Sequence, residues 1–160
     1  MGPQVECSPM QQSSLGKDLN ADDCAALITV MGVQEFKDGE VLVQEGEADS
    51  TLFILIHGAI SVHSTINGKM TKVYTMKVGE CAGTRAFVDL APRQATLKAV
   101  GDTTVYTLEP EDFEGLLNSH PKVVYKFMRG LFRLTHMNLM RMNAESQHLS
   151  NYILRARGRY

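Results

Sequence analysis

Apolar positions along the chain follow three regimes. Residues 1–17 are polar, contain Ser13-Ser14 and Gly16, and show no apolar period, which predicts a loose leader. Asn20 then reads as an N-cap, with Asp22 and Asp23 in the first turn and Leu27, Ile28 and Met31 at helical spacing; Gly32 would end that short helix. From Phe36 to Leu108 the pattern changes to short apolar runs cut by glycine. Turns at Phe36-Lys37-Asp38-Gly39 and Glu45–Asp49 lead into strands at 40–44 and 52–56, and Ile60 and Val62 alternate with Ser61 and His63 in the two-residue period of a half-buried strand. Asn67-Gly68 marks a hairpin, because both central positions tolerate positive φ, and Val73–Met76 supplies the returning strand. Val78-Gly79-Glu80 turns out of it, and 96–100 and 104–108 are two further strands around Gly101-Asp102. About seven short strands at close spacing predict an antiparallel sandwich or barrel.

Beyond Leu108 the period is helical. Pro110 suits the first residue of a helix over 111–117, and Pro121 that of a long helix running past Arg141. On the long helix Phe127, Leu131 and Leu134 form one apolar stripe; Met128, Phe132, Leu139 and Met142 form a second. Lys122, Lys126, Arg129 and Arg133 fall on a basic face. Two stripes need two covers, so one is expected to pack on the strands and the other on a second copy in a homodimer. Asn138 continues the first stripe, where a single polar residue fixes register.

Composition narrows the class. At 160 residues, 44% hydrophobic and 21% charged, the chain suits one globular domain, divided as leader 1–17, domain 18–142 and a basic helical extension 143–160. No run is long and apolar enough to cross a bilayer and residues 1–12 lack a secretory pattern, so a cytoplasmic location is expected. Cys7, Cys24 and Cys81 are odd in number and widely spaced, which favours reduced thiols. Residues 1–118 hold 8 Lys/Arg against 17 Asp/Glu, a balance of −9, while 119–160 hold 8 against 1, a balance of +7. Nucleic acid, an acidic membrane, the chain's own acidic body or a partner subunit would each answer such a tail; the last two are the structural reading.

One stretch carries most of the chemistry: Gly83-Thr84-Arg85-Ala86, two turns of candidate helix, then Pro92-Arg93-Gln94-Ala95-Thr96. A glycine before a helix start and an arginine leading back into a strand can cradle a small anion with unpaired amides and a forked donor. Catalytic groupings are missing from the pattern. His57 and His63 lie across a glycine turn, no His-x-His with a following Glu occurs, no Ser-His-Asp arrangement emerges, and the acids at Glu45–Asp49 read as a solvated loop. The expectation is a non-enzyme without a metal.

These residues resemble a known family, the cyclic nucleotide-binding domain of the bacterial catabolite activator and of protein kinase A regulatory subunits. The likeness covers roughly Cys24 to Arg141 and rests on Phe36-Lys37-Asp38-Gly39-Glu40, Glu45-Gly46, Leu52–Leu55 followed by Gly58, Val78-Gly79-Glu80, and Gly83…Ala86…Pro92-Arg93-Gln94-Ala95-Thr96. It implies a β-barrel of jelly-roll type with helices at both ends and a cAMP-like ligand. Helix amides after Gly83, at Thr84, Arg85 and Ala86, would face the cyclic phosphate, Arg93 would pair with its oxygen, Gln94 and Ala95 would complete the motif, and the long helix would close over the purine near Asn138. The chain departs from the family's Phe-Gly-Glu-Leu-Ala, which here is Ala82-Gly83-Thr84-Arg85-Ala86. Thr84 thus replaces the glutamate that accepts from the ribose 2′-hydroxyl, and losing about 1.5–3 kcal/mol there would weaken binding roughly ten- to a hundredfold. Arg85 adds a second cation that would strengthen anion binding, swing into the pocket or extend into solvent. Two functions follow: a regulatory sensor signalling through its C-terminal helices, or an interaction module that keeps the fold without the ligand. About eighteen residues follow Met142, too few for a helix-turn-helix, so sequence-specific DNA reading is not expected.

Overall fold

The computed structural model describes residues 2–158. Met1, Arg159 and Tyr160, which belong to the expected leader and basic extension, lie outside the described residues. In chain order the elements are α1 (Cys7–Gln12), α2 (Ala21–Ile28), β1 (Met31–Phe36), β2 (Val41–Val43), β3 (Leu52–Ile66), β4 (Lys69–Met76), β5 (Cys81–Ala82), α3 (Thr84–Asp89), β6 (Thr96–Leu108), α4 (Pro110–Glu114), α5 (Leu116–Ser119) and α6 (Pro121–Arg157).

The expected cap at Asn20 is present as a reciprocal pair. Asp23 N–H donates to Asn20 Oδ1 at 2.8 Å and Asn20 N–H donates to Asp23 Oδ2 at 3.0 Å, which satisfies two otherwise orphaned donors. The helix stops at Ile28, however, and Met31 belongs to β1, which pairs antiparallel with β6 from Met31↔Leu108 to Phe36↔Thr103. Met31 and Val33 turn toward the core with Gly32 exposed between them, an alternation that the apolar Ile28 and Met31 imitate at helical spacing.

The expected turns at Gly58 and Gly101 are bends inside two long strands. β3 runs 15 residues and β6 runs 13, and their pairing continues past Gly58 with register shifts at His57 and Ala59. Gly58 has φ +85°, and a Cβ there would lie 2.9 Å from the Thr103 Cα, so the bend depends on a residue without a side chain. The pairing path is β1-β6-β3-β4, with β2 on β6 and β5 on β3; the sheet curls as a jelly roll but does not close into a barrel. Val43, Phe53, Leu55, Ile60, Met76, Leu97 and Val105 fill its interior.

A second, larger core lies where the helices meet the roll. Phe87 of α3, Phe113 of α4 and Phe127 of α6 converge there, with ring centroids 5.6 Å (Phe87–Phe113), 4.9 Å (Phe113–Phe127) and 6.5 Å (Phe87–Phe127) apart. Such pairs contribute about 0.5–1.5 kcal/mol each beyond area burial. The segment read as a loose leader enters this core too: it forms α1, and Met10 and Leu15 are almost fully buried. Ser14 N–H donates to Gly79 O at 3.0 Å, and Glu6 N–H donates to the Tyr106 hydroxyl at 2.9 Å. Leu15 crosses α6 at Gly130, where a Cβ would come within 2.9 Å of the Leu15 carbonyl. Two buried side chains five residues apart carry no period, which is why the pattern misses them.

On α6 the Phe127/Leu131/Leu134 stripe packs on the core, whereas Met128, Phe132, Leu139 and Met142 remain exposed. The basic face is partly neutralised within the chain, since Lys126 pairs with Asp23 and Arg133 with Asp18 at 3.0 Å. No helix among the described residues is long and apolar enough to cross a membrane.

Candidate functional site

Gly83 sits at the N-cap of α3 with φ +89°, a left-handed conformation that non-glycine residues adopt at a cost. Phe87 N–H donates to Gly83 O at 2.9 Å and closes the first turn. The amides of Thr84, Arg85 and Ala86 have no acceptor within the helix. Ala86 and Phe87 are buried and hold α3 against the core, Thr84 is half-buried, and Arg85 points outward. Among the described residues Arg85 forms none of the ion pairs.

Arg93 reaches this spot from the loop before β6. Its backbone is pinned by two bonds: Gly46 N–H donates to Arg93 O at 2.7 Å, and Arg93 N–H donates to Glu47 O at 2.9 Å. The side chain is 4% exposed, with its guanidinium 5.3 Å over the Phe53 ring. Nη2 donates to Asp49 Oδ1 at 2.7 Å and also to the Thr51 carbonyl. Nη1 lies against Gly83, where a Cβ would overlap it and would come 2.8 Å from Thr51 O. Nε is buried and has no hydrogen-bond partner. A buried donor left unpaired is costly, and here it belongs to a cation beside the start of a helix.

Asp49 is the residue that the sequence reading missed. It belongs to the turn read as a solvated loop, and Glu45 of that turn is also engaged, accepting from Thr65 N–H at 3.0 Å and Thr65 Oγ1 at 2.7 Å. Burial alone would push the Asp49 carboxyl up. The hydrogen bonds from Arg93 and Thr51 N–H, with the Arg93 charge, outweigh it and hold the group below the ordinary carboxylate value. Thr51 Oγ1 in turn donates to Glu109 Oε1 at 2.6 Å, so the network ends at the start of α4. The acidic turn lies 44 residues before Arg93, and only the sign of its charge hints at the pairing.

The other expected ligand residues are less enclosed. Gln94 is exposed and Ala95 half-buried, and Thr96 accepts through Oγ1 from Glu45 N–H at 3.0 Å. Asn138 is exposed on α6, beyond Thr135, the last α6 residue lining an apolar cavity of about 390 Å³ with Thr84, Arg85 and Val88. The distal part of α6 nevertheless touches the roll: the Arg141 guanidinium sits 5.5 Å over the Tyr74 ring, and the Tyr74 hydroxyl donates to Glu80 at 2.8 Å. That hydrogen bond, burial and the Glu80 charge push the Tyr74 hydroxyl up, with Arg141 opposing. The described residues contain no group of three or more His, Cys, Asp or Glu side chains arranged to hold a metal.

The curled sheet, the flanking helices and the glycine-led helix facing a buried arginine define a class of ligand-binding fold. A family model for the cyclic nucleotide-binding domain matches residues 33–120, and the chain belongs to that family. The cAMP-dependent protein kinase regulatory subunit of Mycosarcoma maydis is 29% identical over 119 residues, covering 67% of this chain and 23% of that protein. The chain thus spans less than a quarter of that relative's length. A cyclic nucleotide-binding domain from Methylobacillus flagellatus KT superposes with a TM-score of 0.78 at 20% identity, over 83% of this chain and 78% of that one. The regulatory domain of Toxoplasma gondii PKA, solved with cAMP, gives 0.61 at 25% identity over 67% of this chain and 41% of that one. The family is a regulatory, ligand-binding one rather than a catalytic one.

Proposed function

We propose that this chain is a regulatory domain that binds a cyclic nucleotide of the cAMP type and transmits occupancy through α6. The observation that carries the reading is Arg93: a buried guanidinium with an unpaired Nε, its Nη1 set against a glycine that leaves room for it. A cyclic phosphate supplies the acceptor that this edge lacks, and the α3 amides add dipolar support. Asp49 and Thr51 hold Nη2 and fix the fork, while Thr84 offers the ribose an uncharged hydroxyl in place of a carboxylate. The same reading assigns Gln94 and Ala95 to the phosphate end, and Asn138 to the purine only if α6 closes further, since α6 lines the cavity no farther than Thr135. A cytoplasmic location and a homodimer along Met128, Phe132, Leu139 and Met142 belong to the same reading; Phe132 is 75% exposed.

A second reading has its own support. Asp49 already neutralises Arg93, as an interaction module without a ligand would require. Calorimetric titration of cAMP and cGMP into the wild type, Thr84→Glu and Arg93→Lys separates the two. Micromolar binding that Arg93→Lys weakens at least tenfold supports the sensor, because an ammonium cannot reproduce the guanidinium fork. Binding that appears only in Thr84→Glu marks a degenerate pocket, and silence in all three removes the nucleotide reading.

A further inference from the structure

The outer face of α3 borders a groove that meets α6 at Val124 and Met128, the inner end of its exposed stripe. Two cavities of about 710 and 230 Å³ adjoin there, sharing Phe87, Val88, Pro110 and Glu114. Three apolar side chains stand up around it, Val88 at 53%, Leu90 at 69% and Leu117 at 51% exposure. Leu90 is held at φ +56°, a left-handed conformation that costs a bulky residue energy and here ends α3 with its side chain in solvent. The rim is acidic: Glu111, Asp112 and Glu114 project from α4, and among the described residues none of the ion pairs engages them. The rim's remaining acids, Asp49 and Glu109, are bonded inward to Arg93 and Thr51, and no Lys or Arg lines either cavity.

We infer that this groove between α3 and α4 docks a basic amphipathic helix of a partner protein. A furrow with Val88, Leu90 and Leu117 on one side and acids on the other takes the hydrophobic stripe of a third helix at i, i+3, i+4 and i+7, and its one-signed side selects the opposite charge on the flank of that stripe. The surrounding body carries −9 over residues 1–118, which steers a cationic segment toward the groove. Docking requires no bound nucleotide, although the groove meets the candidate site at Asp49, which lines the larger cavity and holds Arg93.

The test is fluorescence anisotropy with a labelled synthetic helix of about 18 residues, leucines at i, i+3, i+4 and i+7 and lysines on both flanks, and a twin with glutamates in place of the lysines. The proteins are wild type, Leu117→Asp, and Glu111→Lys combined with Glu114→Lys, each checked for an unchanged melting temperature. The expected result is micromolar binding of the lysine helix that weakens with salt, none by the glutamate twin, and at least a tenfold loss in both variants. Absent binding of the lysine helix, equal binding of the two helices, or affinity unmoved in the variants overturns the inference. A peptide of residues 141–157 that binds the groove more tightly than the lysine helix also overturns it, because the occupant is then a second copy of this chain.

Discussion

Replacing Gly83 by alanine tests the core of the site without substituting any charged residue. A left-handed alanine costs about 1–2 kcal/mol. At Gly83, with φ +89°, the new Cβ would also overlap Arg93 Nη1, so the guanidinium must leave its place against Asp49 and Thr51. Hydrogen bonds to a charged group contribute about 1.5–3 kcal/mol; Asp49 keeps 36% of its side chain exposed, and solvent screening brings this to about 1–2 kcal/mol. The expected total is about 2–4 kcal/mol. Gly39 supplies the control, with φ +82° and nothing within 4 Å of its missing Cβ, so Gly39→Ala carries the backbone cost alone. Urea unfolding of both variants should therefore separate them by about 1–2 kcal/mol. In an Arg93→Ala background the cost of Gly83→Ala should fall, the non-additivity expected of residues in contact, but stay above that of Gly39→Ala because the new Cβ still comes 2.8 Å from Thr51 O. Equal costs for the two glycines, or strict additivity with Arg93→Ala, would refute the claim that Gly83 exists to make room for the arginine.

Gly130→Ala sets a methyl group within 2.9 Å of the Leu15 carbonyl, so it should loosen residues 8–15 and destabilise by about 1–3 kcal/mol; faster amide exchange at Leu15 and Gly16 is the readout. The Asp49 and Asp23 carboxyls both lie below their ordinary values, the latter mainly through its hydrogen bond from Lys126, with burial opposing. Their stabilisation is therefore present above the unfolded carboxyl pKa and lost as pH falls through the folded values, so urea midpoints should hold from about pH 7 to 5 and drop below about pH 4. Cys24 is fully buried, and burial with the neighbouring Cys7 thiol pushes its own thiol up to about 12, so iodoacetamide at neutral pH should leave it unmodified until the protein unfolds, as mass spectrometry would show.

What the amino-acid order reveals depends on how far each signal reaches. The cap at Asn20, the Asn67-Gly68 hairpin and the proline starts of α4 and α6 are local chemistry, and each stands where its residues point. Gly58 and Gly101 were legible as breaks between apolar runs, but the left-handed conformation they adopt serves a turn and a bend within a paired strand alike; only the partner strand decides. The burial of Leu15 depends on Gly130, more than a hundred residues away, and leaves no periodic trace. In the site, Gly83 and Arg93 were readable from the order of the motif. Asp49 was not, because a carboxylate in an acidic turn looks the same whether it faces water or a buried guanidinium.

The ring cluster of Phe87, Phe113 and Phe127 makes α6 a lever with a short inner arm. The last side chain seated on the core is Leu134, and the helix continues to Arg157, an outer arm of about 34 Å at 1.5 Å per residue. A tilt of about 10° about Leu134 would sweep the far end through about 6 Å, while Phe127, about 10 Å along the inner arm, moves by about 2 Å. The Arg141–Tyr74 stack, two turns out along that arm, is where such a swing would first break contact with the roll.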